Sequence, residues 1–195
     1  MNTVNHNTFR SPNRKAEKGF TIIELIVVLA IIALLSLFAV PFARSIIING
    51  EVQPTADDIN KTVTALRGNY AGQGVTPYTS IDSSVFANAA RGLASALTVT
   101  GSGAAATVSD SLGTTGQLLV VAPSTITTAG DSFTVELDNV NDAACPGLAS
   151  QLSRAAEVIT VNGATAKAEG ATYDGSAAQT ACTTGDTNAF IFTFR

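Results

Sequence analysis

Histidine is almost missing from this chain. Of its 195 residues only His6 is one, and it lies in a polar N-terminal stretch. Everything after that stretch lacks the side chain most often used as general acid and base. The nucleophile patterns are missing too, with no Gly-x-Ser-x-Gly elbow and no Ser-x-x-Lys pair. No phosphate loop of the form Gly-x-x-x-x-Gly-Lys occurs, and Gly72-Gln73-Gly74 and Gly101-Ser102-Gly103 each lack the third glycine of a nucleotide-binding turn. Lys and Arg number 11 against 15 acids, so the counterion release that drives non-specific nucleic-acid binding has little to draw on. Asp138, Asn139, Asn141 and Asp142 gather oxygens, but Val140 stands where a calcium loop needs a ligand, and the turn glycine is absent. These absences exclude most enzyme classes and predict no cofactor, no metal and no nucleic-acid partner. Asn60-Lys61-Thr62 matches a glycosylation pattern inside a helical stretch and is read as chance.

What the chain does have is one long apolar run, from Lys18 to Pro41. Between Phe20 and Ala43 its only ionisable side chain is Glu24, and the next charge is Arg44. A helix from Phe20 to Pro41 is about 33 Å long, enough to cross a bilayer core of about 30 Å. A carboxylate at that depth costs on the order of 3 kcal/mol and usually marks function. Near a helix start it also gains about 0.3–1 kcal/mol from the helix dipole, which offsets only part of that cost.

Arg10, Arg14, Lys15 and Lys18 precede the run against a single acid, Glu17. Basic residues crowded on that side predict a cytoplasmic N-terminus and an exported remainder. The only cysteines, Cys145 and Cys182, both fall in the exported part. There an oxidising compartment favours a disulfide over two free thiols. An ordinary secretory signal is the competing reading. The run exceeds the roughly 7–15 residues of such an apolar region, and Pro41 interrupts the small-x-small site between Ala39 and Ala43.

A basic leader ending in Gly19, then Phe20-Thr21-Ile22-Ile23-Glu24 and an apolar run to Pro41, resembles the N-terminus of type IV prepilins and pseudopilins. The resemblance implies that prepilin peptidase cuts between Gly19 and Phe20 and methylates the new amine of Phe20. It also implies that Glu24 meets the methylated amine of a neighbouring subunit during assembly. Ala33 departs from the pattern, since a glycine is common there. Arg67-Gly68-Asn69-Tyr70 and the length beyond Gly19 resemble type IVb pilins, whereas Phe20 at the cut is the type IVa habit.

The implied fold is α+β, a long N-terminal helix packed on a small antiparallel sheet. Residues 1–19 would be the leader, 20–43 the membrane and filament-core helix, 44–71 its amphipathic continuation and 72–195 the exported head. The implied partners are further copies of the chain in a helical homopolymer, prepilin peptidase, the inner-membrane assembly machinery and, before assembly, lipid. A disulfide between Cys145 and Cys182 would correspond to the family's C-terminal bridge.

Along the head, Gly50 and Pro54 are expected to interrupt and kink the helix. Ala56, Ile59, Val63, Leu66 and Tyr70 then recur at helical spacing, with Asp57, Asp58, Lys61 and Arg67 off that face. Thr55 reads as the cap of the restarted helix, and Asp58 as an acid in its first turn. A short helix capped by Ser83 or Ser84 is expected to reach Leu97, and the stretch from Thr98 to Thr115 to have weak order. Strands are expected at Gln117–Ala122, Ser132–Asp138, Glu157–Val161 and Ala189–Phe194, a Thr-rich turn between Pro123 and Gly130, and a helix at Ala144–Ala156. Lys167 to Asp186 reads as a polar loop.

Three readings follow. The first is a pilus subunit that leaves the inner membrane for an extracellular filament. The second is a pseudopilin of a secretion system or a minor pilin. The third, of another class, is an adhesin or receptor that keeps its anchor.

Overall fold

The computed structural model describes residues 19–113 and 117–195. Residues 1–18 of the expected leader, with His6, therefore lie outside the described residues, as does the end of the low-complexity stretch. The chain divides into two compact units at Pro41 and Phe42. In the first, α1 (Ile22–Tyr70) begins as a helix with every side chain from Ile22 to Val40 exposed.

In the second unit α1 becomes amphipathic. Ile48, Val52, Ala56, Ile59, Val63 and Leu66 are buried in one cluster with the sheet. The expected break is not there, for α1 stays helical through Gly50 and Pro54. Pro54 costs the helix one backbone hydrogen bond, and burial of Val52 and Ala56 on either side offsets it. With no restart there is no cap. Thr55 is fully buried mid-helix, and Asp58 points into the protein rather than off its polar face.

α2 (Ser83–Ala90) is capped by Asp82, whose side chain accepts from the Val85 amide, not by Ser83 or Ser84. It ends well before Leu97. The stretch expected to be weakly ordered contains a small hairpin of β1 (Thr98–Thr100) and β2 (Thr107–Ser109). Bounds for the remaining elements are β3 (Val120–Thr125), β4 (Ala129–Asn141), α3 (Cys145–Leu152), β5 (Val158–Val161), β6 (Ala164–Lys167), α4 (Gly175–Ala181) and β7 (Asp186–Phe194).

The five-stranded sheet has the order β3-β4-β7-β5-β6 with every pair antiparallel. The last strand in sequence is thus central in space. Its alternation explains why: Phe190, Phe192 and Phe194 all point to one face and are fully buried. Their cross-strand partners on β4 are Leu137, Val135 and Phe133, and β5 supplies Val161 and Ile159 opposite Phe190 and Phe192. Such apolar cross-strand rows are what stabilises a sheet.

Pro123, expected to bound a turn, lies within β3. As an edge strand β3 can spare the hydrogen bond that proline cannot make. The expected Thr-rich turn occupies residues 126–128, where Asp131 accepts from the amides of Ile126, Thr127 and Thr128. Gly130 sits at φ +81, and a β-carbon added there would run into Thr79 Cγ2, so a side chain would be strained and would collide. Asn162-Gly163 does turn β5 into β6, both residues having positive φ, as a two-residue hairpin requires.

Candidate functional site

Gly19 and Phe20 precede the helix, and Phe20 is 80% exposed. Thr21 is the cap: its Oγ1 accepts the Glu24 amide at 3.3 Å. Thr-x-x-Glu is a capping pattern legible in sequence, and it adds a role for Thr21 that the sequence reading missed. It places Glu24 in the first turn of α1, where the dipole favours a negative charge. Among the described residues the Glu24 carboxylate has no hydrogen-bond partner, and it stands in a continuous field of exposed Ile, Val and Leu. One acid on an otherwise apolar helix is chemically a receptor for one cation. Ser36, the other polar side chain there, returns its hydroxyl to the Ile32 carbonyl at 2.8 Å.

At the other end of the sequence Cys145 and Cys182 form a disulfide with Cα atoms 6.0 Å apart. It ties the start of α3 to the residue after α4. Asn188, fully buried, supports the same region. Its side-chain amide donates to the carbonyls of Val140 and Thr183, and its oxygen accepts from the Thr183 amide and from Asn162 Nδ2. Nearby, Arg44 grips both oxygens of Asp186 at 2.9 and 2.8 Å, and Asn141 donates to Asp186 at 2.6 Å. That ion pair joins the helix where it becomes part of the head to the first residue of β7. Neither Asn188 nor the Arg44–Asp186 pair carries a sequence signal, because their partners lie far away along the chain.

Asp138, Asn139, Asn141 and Asp142 do not converge on one point. Asn139 occupies a bulge of β4 at φ 54, and Asn141 turns toward Asp186.

An exposed apolar helix led by Gly-Phe-x-x-x-Glu, continuing as the buried spine of an antiparallel sheet, defines the class: filament subunits of the type IV pilin fold. Residues 14–40 match the prokaryotic N-terminal methylation motif, and residues 49–195 match the family described as PilS N terminal. The chain belongs to that family of type IV pilins. It is similar to the type IV b pilin from Salmonella typhi, at 25% identity over 72% of this chain and 95% of that one, with a TM-score of 0.52. TcpA, a type IV pilin from Vibrio cholerae El Tor biotype, shares the fold at 14% identity, covering 75% of this chain and 99% of that one, with a TM-score of 0.51. No curated protein sequence matches it. Pilins are structural rather than catalytic, and membership implies polymerisation and processing at the methylation motif.

Proposed function

We propose that this chain is the repeating subunit of a type IVb pilus, made as an inner-membrane precursor with its N-terminus in the cytoplasm. Prepilin peptidase cuts between Gly19 and Phe20 and methylates the Phe20 amine. The processed chain then leaves lipid for a helical homopolymer whose core is built from segments 20–43. The observation that carries this reading is the exposed apolar surface from Ile22 to Val40 with Glu24 alone on it.

Such a surface has two stable surroundings, lipid and other copies of itself. Glu24 selects between them. In lipid it sits near the interface. In a bundle it neutralises the amine that cleavage at Gly19 creates on a neighbour, so that only a processed subunit completes the pair. A heterologous contact repeated in this way gives an open filament rather than a closed ring.

Intact-mass and N-terminal analysis of the chain from a sheared-surface fraction tests the reading. The expected result is a chain starting at methylated Phe20 and forming most of the fraction. A mass that still includes residues 1–19 overturns it. A processed chain found only in the envelope favours the pseudopilin instead. Glu24→Ala is expected to reduce surface filaments about a hundredfold or more, the scale of breaking a buried ion pair at about 3–5 kcal/mol, with processing unchanged.

A further inference from the structure

After α2 the chain reads Arg91-Gly92-Leu93-Ala94-Ser95-Ala96-Leu97, much of it able to continue a helix. It does not continue. Gly92 turns at φ +79, and the amides of Ser95, Ala96 and Leu97 all reach one oxygen of Asp58, at 2.5, 2.7 and 3.3 Å. The Ser95 hydroxyl lies 3.4 Å from that oxygen. Lys61 holds the other carboxylate oxygen at 3.2 Å. The Asp58 side chain is 0% exposed, while that of Lys61 is 54% exposed.

Successive backbone amides that converge on a point form a concave anion-binding nest. Here the anion is supplied by α1 itself. Each half of the contact needs the other. A buried carboxylate without donors carries a large desolvation cost, and the amide of buried Leu97 without an acceptor loses a bond that water does not replace. The elements on either side are held by other means. α2 is fixed through Phe86, Ala87 and Ala90 in the core and through Ser83 Oγ, which accepts the Val121 amide. The five-stranded sheet makes no use of Asp58.

We infer that Asp58 is an intramolecular latch: its carboxylate fills the amide nest at residues 95–97 and fixes the segment between α2 and β1 against α1. The latch holds Leu93 beside Asp57, Asn60, Lys61, Thr64 and Ala65, the residues that together line an open groove of about 530 Å³. Opening it releases residues 93–97 and leaves the rest of the head in place, including the β1–β2 hairpin, which the Leu119 amide holds at the Val108 carbonyl and Asn88 holds at the Gly103 carbonyl.

Amide hydrogen exchange on the full chain in detergent micelles tests this. In the unaltered protein the amides of Ser95, Ala96 and Leu97, which belong to a bend and to no helix or ladder, are expected to exchange nearly as slowly as those of β7. Exchange at ordinary loop rates overturns the latch without any variant being made. In Asp58→Asn, which keeps the size and removes the charge, these three amides are expected to exchange at least about tenfold faster, with β4 and β7 changed less than about twofold. A uniform acceleration across the sheet overturns the proposal, because it makes Asp58 a global stabiliser rather than a latch. In Asp58→Ala, acetate added to the buffer is expected to restore slow exchange at residues 95–97 selectively. If chloride at equal ionic strength restores it equally, the nest does not recognise a carboxylate and the proposal fails.

Discussion

Asp110 is the residue at which this head works against itself. It is 4% exposed, its Oδ1 accepts the Leu112 amide at 2.8 Å, and its Oδ2 has no partner. Burial pushes its pKa up to about 6, against the weaker pull of the Leu112 amide. A carboxyl raised on folding binds more protons in the native state. Stability is therefore lost as pH rises from the unfolded value through the folded one, by about 3 kcal/mol in all. Asp110→Asn keeps the bond from Leu112 and removes the buried charge. It is expected to unfold at higher temperature than the parent at roughly pH 8 and to lose that advantage at roughly pH 4, as read by calorimetry at the two values. Asp58 runs the other way. Burial raises its pKa, but the amides of Ala96 and Ser95, with Lys61 and Leu97, outweigh that and leave it lowered. Its contribution is present at neutral pH and disappears as pH falls below the ordinary carboxylate range. Neither residue was legible in sequence, since Asp110 between two serines and Asp58 beside Asp57 read as solvated acids whether they face water or the interior.

Among the elements, those with strong periodicity were legible. The alternation of Phe190, Phe192 and Phe194, the stripe on α1 and the Asn162-Gly163 turn all fell where the sequence put them. α4 did not. Asp174 caps it by accepting the Ser176 and Ala177 amides, yet only Ala178 of its residues is buried, so it has no apolar stripe to read. α3 and α4 are 8 and 7 residues long, too short to hold helical structure unaided. Their support is partly covalent and partly polar. The disulfide joins them, and Lys167 donates to the Ser153 and Ala156 carbonyls beyond the end of α3. Cys145 and Cys182 lie 37 residues apart, a loop whose closure stabilises by about 4 kcal/mol in the chain-entropy model. Cys145→Ala with Cys182→Ala is expected to lower unfolding free energy by roughly that amount in urea titration. Amide exchange should quicken first over α3 and α4, with β4 and β7 last. A loss below about 1 kcal/mol would show that Asn188 and its partners hold this region without the bond.

For the whole molecule the telling contrast lies within one helix. α1 buries nothing between Ile22 and Val40, where the exposed apolar side chains include Ile23, Leu29, Leu35 and Phe38. From Ile48 onward the same helix is the spine of the core. Its first part therefore owes its helical state to its own backbone bonds and, once made, to lipid or to other copies. Its second part owes its state to the sheet. Every side chain from Ile22 to Val40 is exposed, so the head's stability is expected to be independent of the anchor. A chain beginning at Phe42 is expected to be monomeric in detergent-free buffer and to retain the Cys145–Cys182 bond. Its melting temperature should match that of the full chain in micelles. The full chain without detergent is expected to associate, as exposed apolar area of this extent requires. Light scattering with calorimetry on both forms decides it. A shortened chain that melts several degrees lower would mean that the apolar segment helps fold the head. Equal melting with association confined to the full chain would leave that segment one task, contact with a membrane or with its own copies.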